Sequence, residues 1–435
     1  MYFSDFKLKP QLQHAIESLG YEKPTLIQEM GIPKALEGKD IVGQSQTGTG
    51  KTAAFLIPII QKVRRGYGPQ AVIITPTREL CVQITEFGQK LGKSSKIKTK
   101  PVYGGVGYAN QRKALKNDEI IVATPGRLLD HLGRGDADFS KIRFFVIDEA
   151  DLMLEMGFID DVKKIISYLP VSRQNFLFSA TFPSEIMSII EKTLDDPVYL
   201  ETEQFVDETK LIQTYYSVDS KLKFSLLLHI LEKTERDLTA LIFCATRNET
   251  DVVYKNLKKH GYRVLPIHGG YSQAKRMLSI EKLHRQDVNI VVATDVAARG
   301  LDIRNINHII NWDIPQTPID YIHRIGRTAR AGDVGYAISF VCRIDQRNFK
   351  HILELTENAI VKVHRPHLNL TEIERKGGMS SDSKRKGDKR RTDPKAVFHQ
   401  KKDSNSPRKI SSLKKRRKRK QAQGPANRKR KTKKY

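Results

Sequence analysis

Short β-branched runs alternate along the chain with longer stretches in which apolar residues recur every three or four positions. Ile41-Val42, Ala71–Ile74, Ile120–Ala123, Phe144–Ile147 and Phe176–Phe178 read as strands apolar at every position. Leu241–Cys244, Val264–Ile267, Ile290–Ala293, His308–Ile310 and Ala337–Val341 repeat the series further on. Such a strand must be covered on both faces, which is the situation in a parallel sheet flanked by helices. The alternation of β and α elements therefore predicts two tandem α/β domains of similar size. The polar stretch from Glu201 to Glu208 is the expected linker, which puts the domains at 1–204 and 205–363.

Charge changes the picture at one end only. From Lys376 to Tyr435 there are 25 Lys/Arg against 4 Asp/Glu, which is +21 of the chain's +27, so +6 remains for the first 375 residues. A segment of that composition buries too little apolar surface to offset its ordering entropy, so residues 364–435 are expected to form a disordered Lys/Arg-rich tail. No run reaches the ~18 apolar residues of a membrane helix. The N-terminus lacks a signal-peptide profile. Cys81, Cys244 and Cys342 stand in no metal-ligand or redox spacing and are expected to be buried thiols in a reducing cytosol.

The chemistry lies in the segments that succeed the strands. Ser45-Gln46-Thr47-Gly48-Thr49-Gly50-Lys51-Thr52 succeeds the first strand and opens an apolar helix, as a phosphate-binding loop does. Its glycines let backbone N–H groups approach phosphates, Lys51 reaches the terminal phosphates, and the Thr52 hydroxyl can join a Mg²⁺ shell. Ser45 stands where the strict loop pattern has Gly. A hydrophobic strand then ends in Asp148-Glu149, a metal-holding acid (largely through water) beside one that orients and deprotonates an attacking water. Phosphoryl transfer asks for such positioning and for charge neutralisation. His323-Arg324-Ile325-Gly326-Arg327-Thr328-Ala329-Arg330 holds three arginines, either the basic face of a surface helix or a source of arginine fingers, which add about 10³–10⁵ in rate.

These sets, in this order, resemble the DEAD-box RNA helicase family over roughly residues 3 to 345, with Asp148-Glu149-Ala150-Asp151 as the signature. The resemblance implies two RecA-like domains, a Q motif within residues 1–29, ATP and Mg²⁺ as cofactors, and RNA as partner. By it, Phe3 and Tyr21 give aromatic contacts near the adenine and Gln28 reads the adenine edge. Thr47, Gly48, Gly50, Lys51 and Thr52 contact phosphate, and Gly300 and Asp302 face the ribose. Arg327 and Arg330 reach the γ-phosphate, although the family usually has Gly at the position of Ala329. Ser179 and Thr181, with Asp151 and His323, would couple hydrolysis to strand separation.

The RNA contacts implied in the first domain are Pro76, Thr77, Arg78, Gly104, Gly105, Thr124, Pro125, Gly126 and Arg127. Those implied in the second are Arg247, Gln273, Arg276 and Thr294. Small residues and arginines suit sequence-independent backbone contacts. No aromatic-rich block resembles an RNA-recognition motif, so base-specific readout within the core is not expected. The resemblance implies binding to single strands and short duplexes, ribosomal or messenger, by a monomer that unwinds locally. The compact core resembles bacterial RhlE-type members and implies a cytoplasmic location, nuclear or nucleolar in a eukaryote. The tail is then an RNA tether, with a nuclear localisation signal or a solvated extension as alternatives. A DNA helicase on the same scaffold and an ATP-dependent RNA clamp are the competing functions.

Overall fold

The computed structural model describes residues 1–44, 49–201, 210–234, 238–271, 273–298, 306–329, 334–357 and 359–375. Seven strands form a first sheet: β1 (Ile41–Gln44), β2 (Ala71–Ile74), β3 (Thr99–Val102), β4 (Ile120–Ala123), β5 (Phe144–Asp148), β6 (Gln174–Ser179) and β7 (Val198–Glu201). Seven more form a second: β8 (Leu211–Ser217), β9 (Ala240–Phe243), β10 (Val264–Ile267), β11 (Ile290–Ala293), β12 (His308–Asn311), β13 (Gly335–Val341) and β14 (Val361–Val363). Every pairing is parallel.

The strand order is β3-β4-β2-β5-β6-β1-β7 in one sheet and β10-β11-β9-β12-β13-β8-β14 in the other. With β8 set equal to β1, the two orders are identical, so the chain is a structural duplication. Successive residues of each strand feed opposite faces. Ile41, Ile73, Val122, Val146 and Phe176 enter one apolar cluster, and Val42, Val72, Ile121, Phe145 and Leu177 enter another. Each such side chain taken fully out of water contributes about 1.5–3 kcal/mol. Cys81, Cys244 and Cys342 are buried as expected, and burial pushes the Cys81 thiol up to about 12.

Four strands escaped the hydrophobic pattern: β3, β7, β8 and β14. Three of them are sheet edges, partly open to solvent, and β8 (Leu-Ile-Gln-Thr-Tyr-Tyr-Ser) interleaves polar residues. The expected linker lies within residues outside those described.

The start of the tail needs correction. Residues 364–375 do not leave the fold after β14. Leu368 and Ile373 pack on the second sheet's core. Thr371 N donates to Ser225 Oγ at 2.8 Å, Glu374 N donates to Asn256 Oδ1 at 3.0 Å, and Arg375 grips both carboxylate oxygens of Glu249 at 2.8 and 2.9 Å. Side-chain partners on two helices supply what this strap's sparse apolar content does not. Residues 376–435, which hold the basic clusters, lie outside the described residues.

Candidate functional site

Parallel α/β sheets place loops of one kind at the carboxyl ends of the strands. Here the strand order divides that edge in two. Lys51, Asp148-Glu149 and Ser179–Thr181 follow β1, β5 and β6, which are adjacent; Pro76–Arg78, Gly104-Gly105 and Thr124–Arg127 follow β2, β3 and β4, also adjacent. The second sheet repeats the division. Arg247, Gln273 and Thr294 follow β9, β10 and β11, whereas the helix Pro318–Ile325, with His323, follows β12.

In the nucleotide half, Gly50 caps the helix Lys51–Lys62 with φ +94°, a conformation that favours glycine. A Cβ there would stand 2.3 Å from Gln28 Nε2 and 2.8 Å from Thr25 Oγ1. Gln28 Nε2 donates to Gly50 O at 3.0 Å, Thr25 Oγ1 donates to Thr49 O at 2.8 Å, and Thr25 N donates to Gln28 Oε1 at 2.9 Å. Gln28 is thus a strut between the Q motif and the phosphate loop. Each of its amide atoms is used once inside the protein, which leaves one N–H and one lone pair for a base rather than a fully presented edge. Phe3 is buried in the core, tilted beneath Tyr21 at 6.2 Å, so of the two aromatic rings it is Tyr21 that is exposed. Ser45, Gln46, Thr47, Gly48, Gly300, Asp302, Arg330 and the side chain of Gln273 lie outside the described residues.

Asp148 and Glu149 are buried at the end of β5. Glu149 has φ +57° and ψ +56°, a left-handed backbone that costs a non-glycine residue about 1–3 kcal/mol and is found where function fixes it. Burial raises the Asp148 carboxyl; Lys51 opposes this, and the neighbouring acids Glu149 and Asp151 add to it. Asp148 Oδ1 is buried without a hydrogen-bond partner among the described residues. An orphaned acceptor beside a lysine and further acids is a fitting donor set for a hard cation.

Asp151 ties the signature to the Ser179–Thr181 turn. Its Oδ2 accepts from Ala180 N at 3.1 Å and Thr181 N at 3.2 Å, its backbone N donates to Ser179 Oγ at 3.1 Å, and Ser179 Oγ donates to Thr181 O at 2.7 Å. Burial would raise its carboxyl, but His323, whose Nε2 lies 3.7 Å from Oδ2, and Lys51 hold it at about 2. His323 comes from the second sheet's side of the molecule, so the two halves meet here. An open cleft of about 310 Å³ is lined by Lys51, Glu149, Asp151, Leu152, Ala180, His323 and Arg327.

Of the three arginines, Arg324 belongs to the core. It is 2% exposed, and its Nε and Nη2 donate to the two oxygens of Asp295 at 2.6 and 2.7 Å. Helical spacing would have found this, because 323 and 327 share a face that 324 leaves by about 100°. Ala329 has φ +53°, which accounts for glycine as the residue expected there.

Along the other half of the edge, Arg78 and Arg247 are exposed, Thr77 caps its helix by accepting from Leu80 N, and Arg127 Nη1 donates to Val106 O at 2.9 Å with its guanidinium 4.2 Å from the Tyr108 ring. Arg276, expected against RNA, instead pairs with the buried Glu79 at 2.9 Å across the two halves. Glu79 was missed by the sequence reading, since a glutamate in a helix's first turn reads as an ordinary dipole partner.

Two family models match: the DEAD/DEAH box helicase over residues 25–189 and the helicase conserved C-terminal domain over residues 222–332. The DEAD-box ATP-dependent RNA helicase CshA of Geobacillus kaustophilus is 42% identical over 370 residues, 84% of this chain and 79% of that protein. The structure of S. cerevisiae Dbp5 bound to RNA and ADP BeF3 is 33% identical with a TM-score of 0.76, covering 83% of this chain and 95% of that one. Mss116p bound to ssRNA and AMP-PNP is 28% identical with a TM-score of 0.74, covering 84% and 79%. The bacterial relative is a CshA, so the resemblance to RhlE-type members stays an expectation about subgroup. Paired sheets of one topology, a split carboxyl edge and these matches agree: the chain belongs to the DEAD-box family of ATP-dependent RNA helicases.

Proposed function

We propose that this protein hydrolyses ATP to open short RNA duplexes locally or remodel RNA–protein complexes, with hydrolysis confined to the closed arrangement of its halves. The observation that carries this reading is the cleft lined jointly by Lys51 and Glu149 of the first half and His323 and Arg327 of the second. Lys51 binds the terminal phosphates, with Thr49, Gly50 and Thr52 beside it and Ser45 to Gly48 completing the loop. Glu149, fixed by its left-handed backbone, orients the attacking water and takes its proton. Arg327 and Arg330 neutralise the charge that develops on the transferred group; neither acid can. A Mg²⁺ ion held by Asp148, partly through water, and by the Thr52 hydroxyl would neutralise phosphate charge when bound. Tyr21 covers the adenine with Phe3 as backing, Gln28 offers it one donor and one acceptor, and Gly300 and Asp302 meet the ribose.

Asp151, Ser179, Thr181 and His323 couple the nucleotide to the RNA, because one carboxylate holds both the Ser-Ala-Thr turn and the second half's histidine. RNA lies over Pro76–Arg78, Gly104-Gly105 and Thr124–Arg127, then over Arg247, Gln273 and Thr294. The basic segment 376–435 tethers ribosomal or messenger RNA to a monomeric, cytoplasmic enzyme. No helix among the described residues is long and apolar enough to cross a membrane.

ATP turnover stimulated by RNA and by DNA of matched sequence, together with separation of a short RNA duplex, tests the assignment. RNA alone is expected to stimulate, and Glu149→Gln to bind ATP while hydrolysis stalls. Equal stimulation by DNA, absence of strand separation, or normal turnover of Glu149→Gln overturns it.

A further inference from the structure

The duplication extends below the strands to a detail of the nucleic-acid edge. In the first half, Arg78 opens the helix after β2, and its guanidinium covers the Gly104-Gly105 turn after β3. A Cβ built on Gly104 would stand 3.3 Å from Arg78 Nη2, and one on Gly105 would stand 2.5 Å from Nη1. In the second half, β9 and β10 occupy the places of β2 and β3. Arg247 opens the helix after β9, and a Cβ on Gly269, after β10, would stand 3.0 Å from Arg247 Nη2 and 3.4 Å from its Cζ. The same residue types meet at the same topological position twice.

Both turns are open to solvent, with Gly105, Gly269 and Gly270 exposed and Gly104 half-buried. Each has its own fixings. Arg127 Nη1 holds Val106 O in the first, and in the second Gly270 N donates to His268 Nδ1 at 3.1 Å while His268 Nε2 lies 3.2 Å from Asp251 Oδ1. The buried ion pair of Arg276 with Glu79 joins the two halves on this side, Glu79 being the residue after Arg78. A turn without Cβ atoms lets a phosphodiester approach the backbone closely, and a flat guanidinium beside it supplies charge and a rigid donor fork.

We propose that the Gly269-Gly270 turn is a second seat for the RNA backbone, equivalent to Gly104-Gly105, with Arg247 laid across it as Arg78 lies across the first. The proposal rests on the assignment of this face to RNA and adds residues to it: two glycines that offer backbone rather than side chains. Arg247 acts through its plane as well as its charge.

Gly104→Ala and Gly269→Ala form a matched pair. Neither position has a positive φ, and the Cβ introduced at each meets only the flexible end of an arginine. Binding of a fluorescein-labelled oligouridylate by the full chain, with an ATP analogue present, is the readout. Loss of one or two backbone hydrogen bonds corresponds to about tenfold weaker Kd. Gly269→Ala is expected to weaken binding by that factor, as Gly104→Ala does, at an unchanged thermal midpoint. Arg247→Lys keeps the charge and loses the plane, so it is expected to weaken binding similarly while the slope of log K against log salt stays that of the unmodified chain. Gly269→Ala or Arg247→Lys binding as tightly as the unmodified chain overturns the proposal. If the unmodified chain itself fails to bind the oligouridylate, the RNA reading has failed, which is a different result from a silent Gly269.

Discussion

Arg324 is the arginine that the sequence groups with the fingers and the structure assigns to the core, and Arg324→Met separates the two readings. The guanidinium makes four hydrogen bonds: two to Asp295, one to Asn311 Oδ1 at 2.9 Å and one to Asp313 O at 2.6 Å, with its Cζ 4.9 Å from the Phe243 ring. Removing one member of a buried pair costs about 3–5 kcal/mol because its partner stays charged and buried. Asp295, however, has 27% of its side chain exposed and can be partly rehydrated, which favours the lower end of that range. Asn311 is fully buried, and an orphaned acceptor there costs about 1–3 kcal/mol. Methionine keeps the volume of the stem, so no large cavity adds to the cost. The expected loss is about 3 kcal/mol, or roughly a hundredfold faster exchange from an opening that exposes these amides. Hydrogen exchange on β12 and the helix Pro318–Ile325 measures it locally, which suits a chain with two α/β halves where a single unfolding free energy is ill defined. Asp295→Asn with Arg324→Met should cost less than the sum of the two single changes. A loss below about 1 kcal/mol, the value of an exposed pair, would refute the core assignment.

The Glu79–Arg276 pair spans the two halves, so its cost and benefit fall on closure. Burial lowers the Arg276 guanidinium, and Arg276→Gln would leave the Glu79 carboxylate buried without its cation; the closed fraction seen by fluorescence transfer between the halves, with RNA and an ATP analogue, is expected to fall about tenfold. Glu79→Gln with Arg276→Gln should recover most of it, and a double variant no better than Arg276→Gln alone would disprove the coupling. His308 gives a pH signature in the second half. Its imidazole is held down to about 4 by burial, against ~6.5 when unfolded, so as pH falls the unfolded chain takes up the proton first. Stability is therefore full above about pH 6.5, declines by about 3 kcal/mol on the way to pH 4 and is flat below. Urea unfolding followed across that window should show the decline, and His308→Gln retaining the same slope would remove His308 as its source.

The ten strands read from the sequence are those whose residues are apolar almost throughout, because such runs are legible without knowing their neighbours. The edge strands β3, β7 and β14 are only half covered, so their pattern carries half the signal. The site divides in the same way. Lys51, Asp148 and Glu149 stand in runs whose spacing is itself chemistry, whereas Glu79 and Asp295 acquire meaning only from partners some 197 and 29 positions away, Arg276 and Arg324. Gln28 lies between these cases. Thr25-x-x-Gln28 is readable as a capping box, and the structure has it, but the contact of Gln28 with Gly50 O depends on how that helix lies on the phosphate loop.

Ala329 shows how a departure from the family pattern can be absorbed. Its φ of +53° costs an alanine about 1–2 kcal/mol relative to the right-handed region, a cost that glycine escapes. Two terms offset it. The methyl group is 5% exposed and packs with Ile325 and Ala337, and a buried carbon of that size is worth about 0.8 kcal/mol. Alanine also has fewer unfolded conformations to lose, which returns about 0.4–1 kcal/mol. The sum is close to zero, so stability does not decide between the residues. Geometry comes closer to deciding, because a Cβ on Gly335 would stand 2.5 Å from Ala329 N and 2.6 Å from Thr328 Oγ1. β13 can lie this near the turn after Arg327 only with glycine at 335. The close approach that holds the arginine turn in place is therefore secured from the strand side, and a methyl group at 329 leaves it intact.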